Sequence, residues 1–231
     1  MTHSLLLRLA GPLQAWGAGS RFVHRTTEIA PTKSGVLGML AAAQGIRRTE
    51  PLTELLGLSF AVRIDQPGQV LRDFQTALPP NEPQTKLSYR YYLSDAVFVA
   101  AIGGDEDLLH RLHAALRRPH FALYLGRRSC PPIPPVSLGV HPAAPATILC
   151  RHAWQASPWY RRTWRQPTVT LEILRDADVT DPTSETIRDQ PVTFDPTHRE
   201  HGWRLVVRQT TEVANPPDTV PSHDPMTALG G

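Results

Sequence analysis

Pro31-Thr32-Lys33-Ser34-Gly35 brings two small hydroxyls, a cation and a glycine to the start of a segment with helical apolar spacing. The first N–H groups of a helix lack intrahelical partners and lie at the positive end of its dipole, so these residues can form a phosphate site. The glycine and lysine spacing of a P-loop is absent, which disfavours nucleotide hydrolysis. An ordinary Ser or Thr N-cap accounts for the same residues. A second constellation, Gly126-Arg127-Arg128-Ser129-Cys130-Pro131-Pro132, sets two arginines side by side on a turn. Adjacent cations repel and an anion relieves them, although a solvated turn looks the same in sequence. The third, Lys86-Leu87-Ser88-Tyr89-Arg90-Tyr91-Tyr92, interleaves cations with aromatic rings. Rings stack on splayed bases and cations follow the backbone, which is what single-stranded RNA requires. Strand alternation would direct about half of these tyrosines into a core.

Other chemistries find less support. His110 and His113, or His198 and His201, could share a face, but no third and fourth ligand stands at a recognised metal spacing. Neither GxSxG nor HExxH occurs. Cys130 has basic neighbours but no local histidine base, which favours a structural thiol.

The elements that must position these groups follow from periodicity and turn residues. Ser4–Leu9 reads as a strand, followed by an irregular stretch to Pro31 that is basic at Arg21, His24 and Arg25. A helix begins at Ser34, with Val36, Leu37, Leu40 and Ala41 on one face and Gly45 placed to end it. Leu58–Ile64 and Val70–Thr76 read as strands joined through Pro67-Gly68, and the proline-rich run from Leu78 cannot continue a regular element. Ala96–Ile102 is an apolar strand. Asp105-Glu106-Asp107 opens a helix carrying Leu108, Leu109, Leu112 and Leu116, and Phe121–Leu125 returns to extended structure. Further strands are expected at Thr168–Leu174 and Trp203–Arg208, with residues 211–231 a disordered tail. The order predicts an α+β, ferredoxin-like unit over residues 1–210 with a projecting insertion at about 78–90 and a smaller C-terminal β-rich part.

Composition narrows the function further. The chain has 231 residues, enough for one core without a disulfide staple. Leu5-Leu6-Leu7 is broken by Arg8 and the two cysteines form no CxxC, so no secretory signal is read and a reducing cytoplasm is expected. No stretch of about 18 apolar residues is present, which argues against a helical membrane span. Residues 1–170 carry 19 Lys+Arg against 10 Asp+Glu, whereas residues 171–231 carry 5 against 11. That asymmetry points to a polyanionic partner for the first part. Of the 24 basic residues 22 are arginine, which forks onto phosphate and stacks on bases. A GC-rich genome would produce the same excess.

Five ordered segments together resemble one family. They are Leu7-Arg8-Leu9-Ala10-Gly11-Pro12-Leu13-Gln14-Ala15-Trp16-Gly17, Pro31-Thr32-Lys33-Ser34-Gly35-Val36-Leu37-Gly38-Met39-Leu40, Leu71-Arg72-Asp73-Phe74-Gln75-Thr76, Tyr91-Tyr92-Leu93-Ser94-Asp95-Ala96 and Leu123-Tyr124-Leu125-Gly126-Arg127-Arg128-Ser129-Cys130-Pro131. A weaker echo runs from Ile187 to Asp195. Together they resemble the CasD family, the type I-E Cascade member of the RAMP proteins of CRISPR systems.

The resemblance implies a ferredoxin-like palm with a thumb hairpin, gripping the 5′ handle of crRNA without cutting it. It also implies contacts with a repeating backbone subunit and a large subunit, no membrane, no homo-oligomer and no cofactor or metal. The expected RNA-binding residues are Gln14, Trp16, Arg21, Arg25, Thr32, Lys33, Ser34, Lys86, Arg90, Tyr91, Arg127, Arg128 and Ser129. Related subunits of another subtype cut precursor crRNA with a tyrosine and a lysine-histidine pair near the thumb, but here Lys86 is followed by Leu87. The alternative is a metal-independent endoribonuclease in which His24 or a tyrosine assists attack by the 2′-hydroxyl. A third reading is an architectural protein that touches only other subunits.

Overall fold

A computed structural model describes residues 2–17, 24–78, 85–177 and 180–216. Along the chain these form β1 (His3–Ala10), β2 (Leu13–Gln14), β3 (His24–Arg25), α1 (Lys33–Gln44), α2 (Thr53–Leu56), β4 (Ser59–Gln66), β5 (Gln69–Ala77), β6 (Lys86–Ser94), β7 (Val97–Gly104) and α3 (Glu106–Arg117). There follow β8 (Ser137–His141), α4 (Pro145–Arg151), α5 (Pro158–Arg161), β9 (Thr168–Asp176), β10 (Glu185–Thr193) and β11 (Glu200–Ala214).

One sheet runs β10-β11-β9-β4-β7-β1-β8. Its run β4-β7-β1-β8, with α1 between β1 and β4 and α3 between β7 and β8, is the ferredoxin-like palm. Both β1 and β7 are apolar on both faces because both faces are covered. Leu5, Leu7, Leu9, Phe98 and Ile102 pack in the same core as α1 and α3. Leu6, Val99 and Ala101 meet Leu149 of α4 on the other side. The fourth palm strand is β8, not Phe121–Leu125 as the alternation suggests. The N–H groups of His120 and Phe121 donate to Ala43 and Ala42 carbonyls at the end of α1, so that stretch caps a helix. Likewise β11 runs on to Ala214, which places residues 211–214 in the sheet; residues 217–231 lie outside the described residues.

A second sheet is built on the long hairpin of β5 and β6, paired from Gln69↔Ser94 out to Ala77↔Lys86. β2 pairs with β6 at its base and β3 pairs with it midway along. The projection is therefore larger than residues 78–90 and mostly regular. Its tip, 79–84, lies outside the described residues.

The ends of α1 follow the sequence. Thr32 accepts from the Gly35 N–H at 3.2 Å, and Gly45 takes φ 85° beyond the last turn. The indole of Trp16 lies against Gly35, where a Cβ would come within 2.8 Å of the ring.

Candidate nucleic-acid interface

Several separate stretches meet around an open groove of about 1310 Å³. The hairpin sheet contributes Arg25 and Arg90, and the turn after the irregular segment contributes Arg127, Arg128 and Ser129. Arg48 comes from the chain after α1, and β10, β11 and their connection supply Arg188, Arg199, His201 and Arg208. Glu28 and Glu185 also line it. Of these cations Arg208 is neutralised locally, by Glu185 at 2.6 Å and Glu172 at 2.7 Å.

The two arginines of the turn have different roles. Arg127 donates to the carbonyls of Tyr91 at 3.1 Å and Arg25 at 2.8 Å, and lies 4.8 Å from the centre of the Tyr92 ring. It ties the turn to the base of the hairpin. Arg128 is exposed and has no hydrogen bond or ion pair among the described residues, as does Ser129 apart from a 3.8 Å contact to the Cys130 sulfur. The turn is possible because Gly126 has φ 81° and passes so close to Ala15 that a Cβ would strike its carbonyl. Cys130 is fully buried, which pushes its thiol pKa up, as a structural cysteine requires.

Electrostatic crowding marks the far wall. Desolvation first, and Arg48 second, pull the Arg199 guanidinium below its ordinary value. Arg48 is itself held by the Tyr124 hydroxyl at 3.2 Å. Burial, then Arg199, lower the His201 pKa against the opposing pull of Asp189, and its Nε2 is buried without a partner among the described residues. The Nε of Arg90 is similarly unsatisfied.

Burial also lowers the pKa of His152, aided by Arg63. For both histidines the folded value lies below the unfolded one, so their stabilising contribution is present above about pH 6.5 and is lost as pH falls toward the depressed values. The melting temperature should therefore drop between pH 7.5 and 5.5, and drop less in a His152→Gln, His201→Gln variant. An equal drop in both proteins would rule these histidines out as the cause.

Several expected contacts are placed elsewhere. Thr32, Lys33 and Ser34 are buried, and the helix start is already occupied: the Lys33 N–H donates to Asp189 at 2.8 Å and its ammonium pairs with Asp176 at 3.0 Å. The chain supplies its own anion, so the phosphate-site reading gives way to the N-cap. Gln14 and Trp16 are also fully buried. Gln14 donates to the carbonyls of Leu9 and Ala96 and accepts from the Trp16 indole at 3.0 Å, which makes the pair a core support beneath the groove.

On β6 the alternation sets Tyr91 on the face opposite Arg90, with Tyr89, whose ring His24 stacks on at 5.3 Å. The His24 ring makes no side-chain hydrogen bond among the described residues, and its backbone pairs with β6. Arg21 lies outside the described residues, as does the side chain of Lys86. Arg25, Arg90, Arg127, Arg128 and Ser129 are thus brought together, while Arg48, Arg188, Arg199, Arg208 and His201 join them unforeseen. The one sequence signal near these was the echo from Ile187 to Asp195.

The family model for CRISPR-associated protein (Cas_Cas5) matches residues 4–207. The chain is similar to the CRISPR system Cascade subunit CasD of Escherichia coli (strain K12), with 38% identity over 161 residues, covering 60% of this chain and 71% of that protein. A chain of a CRISPR RNA-guided surveillance complex superposes with TM-score 0.79 at 33% identity, covering 98% of this chain and 97% of that one. A crystal structure of a Cas protein superposes with TM-score 0.71 at 34% identity, over 94% and 100%.

Proposed function

The chain belongs to the CRISPR-associated Cas5 family, and from this we propose that its groove holds the repeat-derived 5′ handle of crRNA within a Cascade surveillance complex. The protein is a crRNA-binding subunit in CRISPR defence. The observation that supports the handle assignment is the convergence of arginines from several separate stretches of chain on one open groove. Phosphates position an RNA and are met best by arginine forks, so the groove supplies affinity and register. The hairpin beside it serves as the thumb, and contacts to the repeating backbone subunit and the large subunit fall to the surfaces around it.

The subunit binds without cutting. Cleavage through the 2′-hydroxyl needs a base within hydrogen-bond reach of it and a group to protonate the leaving oxygen. His24 is stacked against Tyr89 on the face of the hairpin away from Arg90, which leaves it poorly placed for that task. Incubation of the purified chain with end-labelled repeat RNA in EDTA should give a retarded complex containing intact RNA, with affinity that falls steeply as salt rises. A specific metal-independent product would overturn the non-catalytic part of this reading, and absence of a complex would overturn the groove assignment.

A further inference from the structure

We propose that the segment Trp154–Arg165 forms a second nucleic-acid surface, separate from the arginine groove, which takes a single strand by stacking bases on Trp159 and Trp164. Trp159 is 52% exposed and Trp164 39%, so two indoles that both pack on Tyr160 present ring surface to solvent. They are held firmly. Trp154 is buried beneath them, donates to the Asp65 carbonyl at 2.8 Å, and meets both Tyr160 and Trp164 edge to face. Trp159 packs edge to face on Tyr160, and Asn215 fixes the Trp164 carbonyl at 3.1 Å.

The charge around these rings is mostly positive; Glu172, which shares a concavity with Trp164 and Tyr160, is bonded to Arg208 at 2.7 Å. Between Asp107 and Glu172 the sequence contains no acidic residue; Arg162 and Arg165 are exposed on this segment, and Arg151 is exposed just before it. The carboxylate beneath, Asp65, is wholly buried and bonded to Arg63 at 2.7 Å, so it does not offset the surface charge. Arg165 and Trp164 border a concavity of about 350 Å³ that shares no residue with the groove. A single strand offers an anion at every nucleotide for the exposed arginines and flat faces for the indoles. A protein occupant would have to supply a matching acidic face.

The test uses the full chain and a fluorescein-labelled oligo-dT of roughly 20 nucleotides, long enough to span such a site. Oligo-dT should bind and quench tryptophan fluorescence. Trp159→Ala with Arg165→Glu should weaken it about tenfold or more, while repeat-RNA binding in the groove is retained. Both residues are exposed, and Arg165→Glu alone, with an unchanged melting temperature, guards against misfolding. Arg128→Glu should leave oligo-dT affinity unchanged. Oligo-dT affinity that survives the patch variants but falls with Arg128→Glu overturns the proposal, as does failure of the native chain to bind oligo-dT, which would leave a protein partner as the occupant.

Discussion

Asp189→Ala should cost the folded chain about 3–5 kcal/mol, the range for removing one member of a buried charged network. Asp189 is 1% exposed and uses both oxygens. One accepts from Arg204 Nε at 2.5 Å, and the other accepts from Arg204 Nη2 at 2.9 Å and the Lys33 N–H at 2.8 Å. Arg204 also reaches Asp176 at 2.8 Å, whose second oxygen receives the Lys33 ammonium and the Phe60 N–H. Without Asp189 the first turn of α1 loses its acceptor and two cations are left with one carboxylate. Asp189→Asn, which retains an acceptor, should lose less. Urea unfolding measures both, and an Asp189→Ala midpoint equal to that of the native chain would show the network to be peripheral.

That network also explains which parts of the site could be read in advance. Hydrophobic spacing, the Thr32 cap and Gly45 located α1 almost to the residue, because these signals are local. Whether the helix start binds a ligand or its own chain depends on Asp189, 156 residues away. No local signal carries that. The arginines divide in the same way. Arg127 and Arg128 stand out as a pair, yet the pairing conceals that one is spent on carbonyls of the hairpin base and the other is free for a ligand. Arg48 and Arg199 attract no attention singly in an arginine-rich chain, and only the fold sets them side by side. The strand expected at Phe121–Leu125 failed for a related reason: its first amide, with that of His120, bonds to the end of α1, and the Leu125 amide turns to Cys130.

The largest expected effect on RNA binding comes from reversing charge where the groove is open. Arg128 is exposed, Arg199 is exposed with its guanidinium partly desolvated beside Arg48, and the two approach the groove from the turn and from the β10–β11 connection. Neither stands in an ion pair with a carboxylate among the described residues, so their replacement leaves no buried partner behind. Arg128→Glu with Arg199→Glu should reduce handle affinity by more than tenfold at moderate salt. Removing two phosphate contacts should also lower the salt slope by about 1.4, at roughly 0.7 per single-strand phosphate. The fall should be similar for different handle sequences, since phosphate contacts position and do not specify. Fluorescence anisotropy across a salt series reads both quantities; an unchanged slope would remove these residues from the interface.

The placement of β1 has a consequence for synthesis. Its neighbours in the sheet are β7, beginning at Val97, and β8, beginning at Ser137. A ribosome adding about 5–20 residues per second produces the first of them on the order of ten seconds after β1 has emerged. During that interval Leu5, Leu6, Leu7 and Leu9 have neither a strand to pair with nor both helical layers to cover them. A strand that ends almost wholly buried is thus left waiting unpaired, and the nascent chain's yield depends on keeping it from other unpaired strands until the middle of the palm is made.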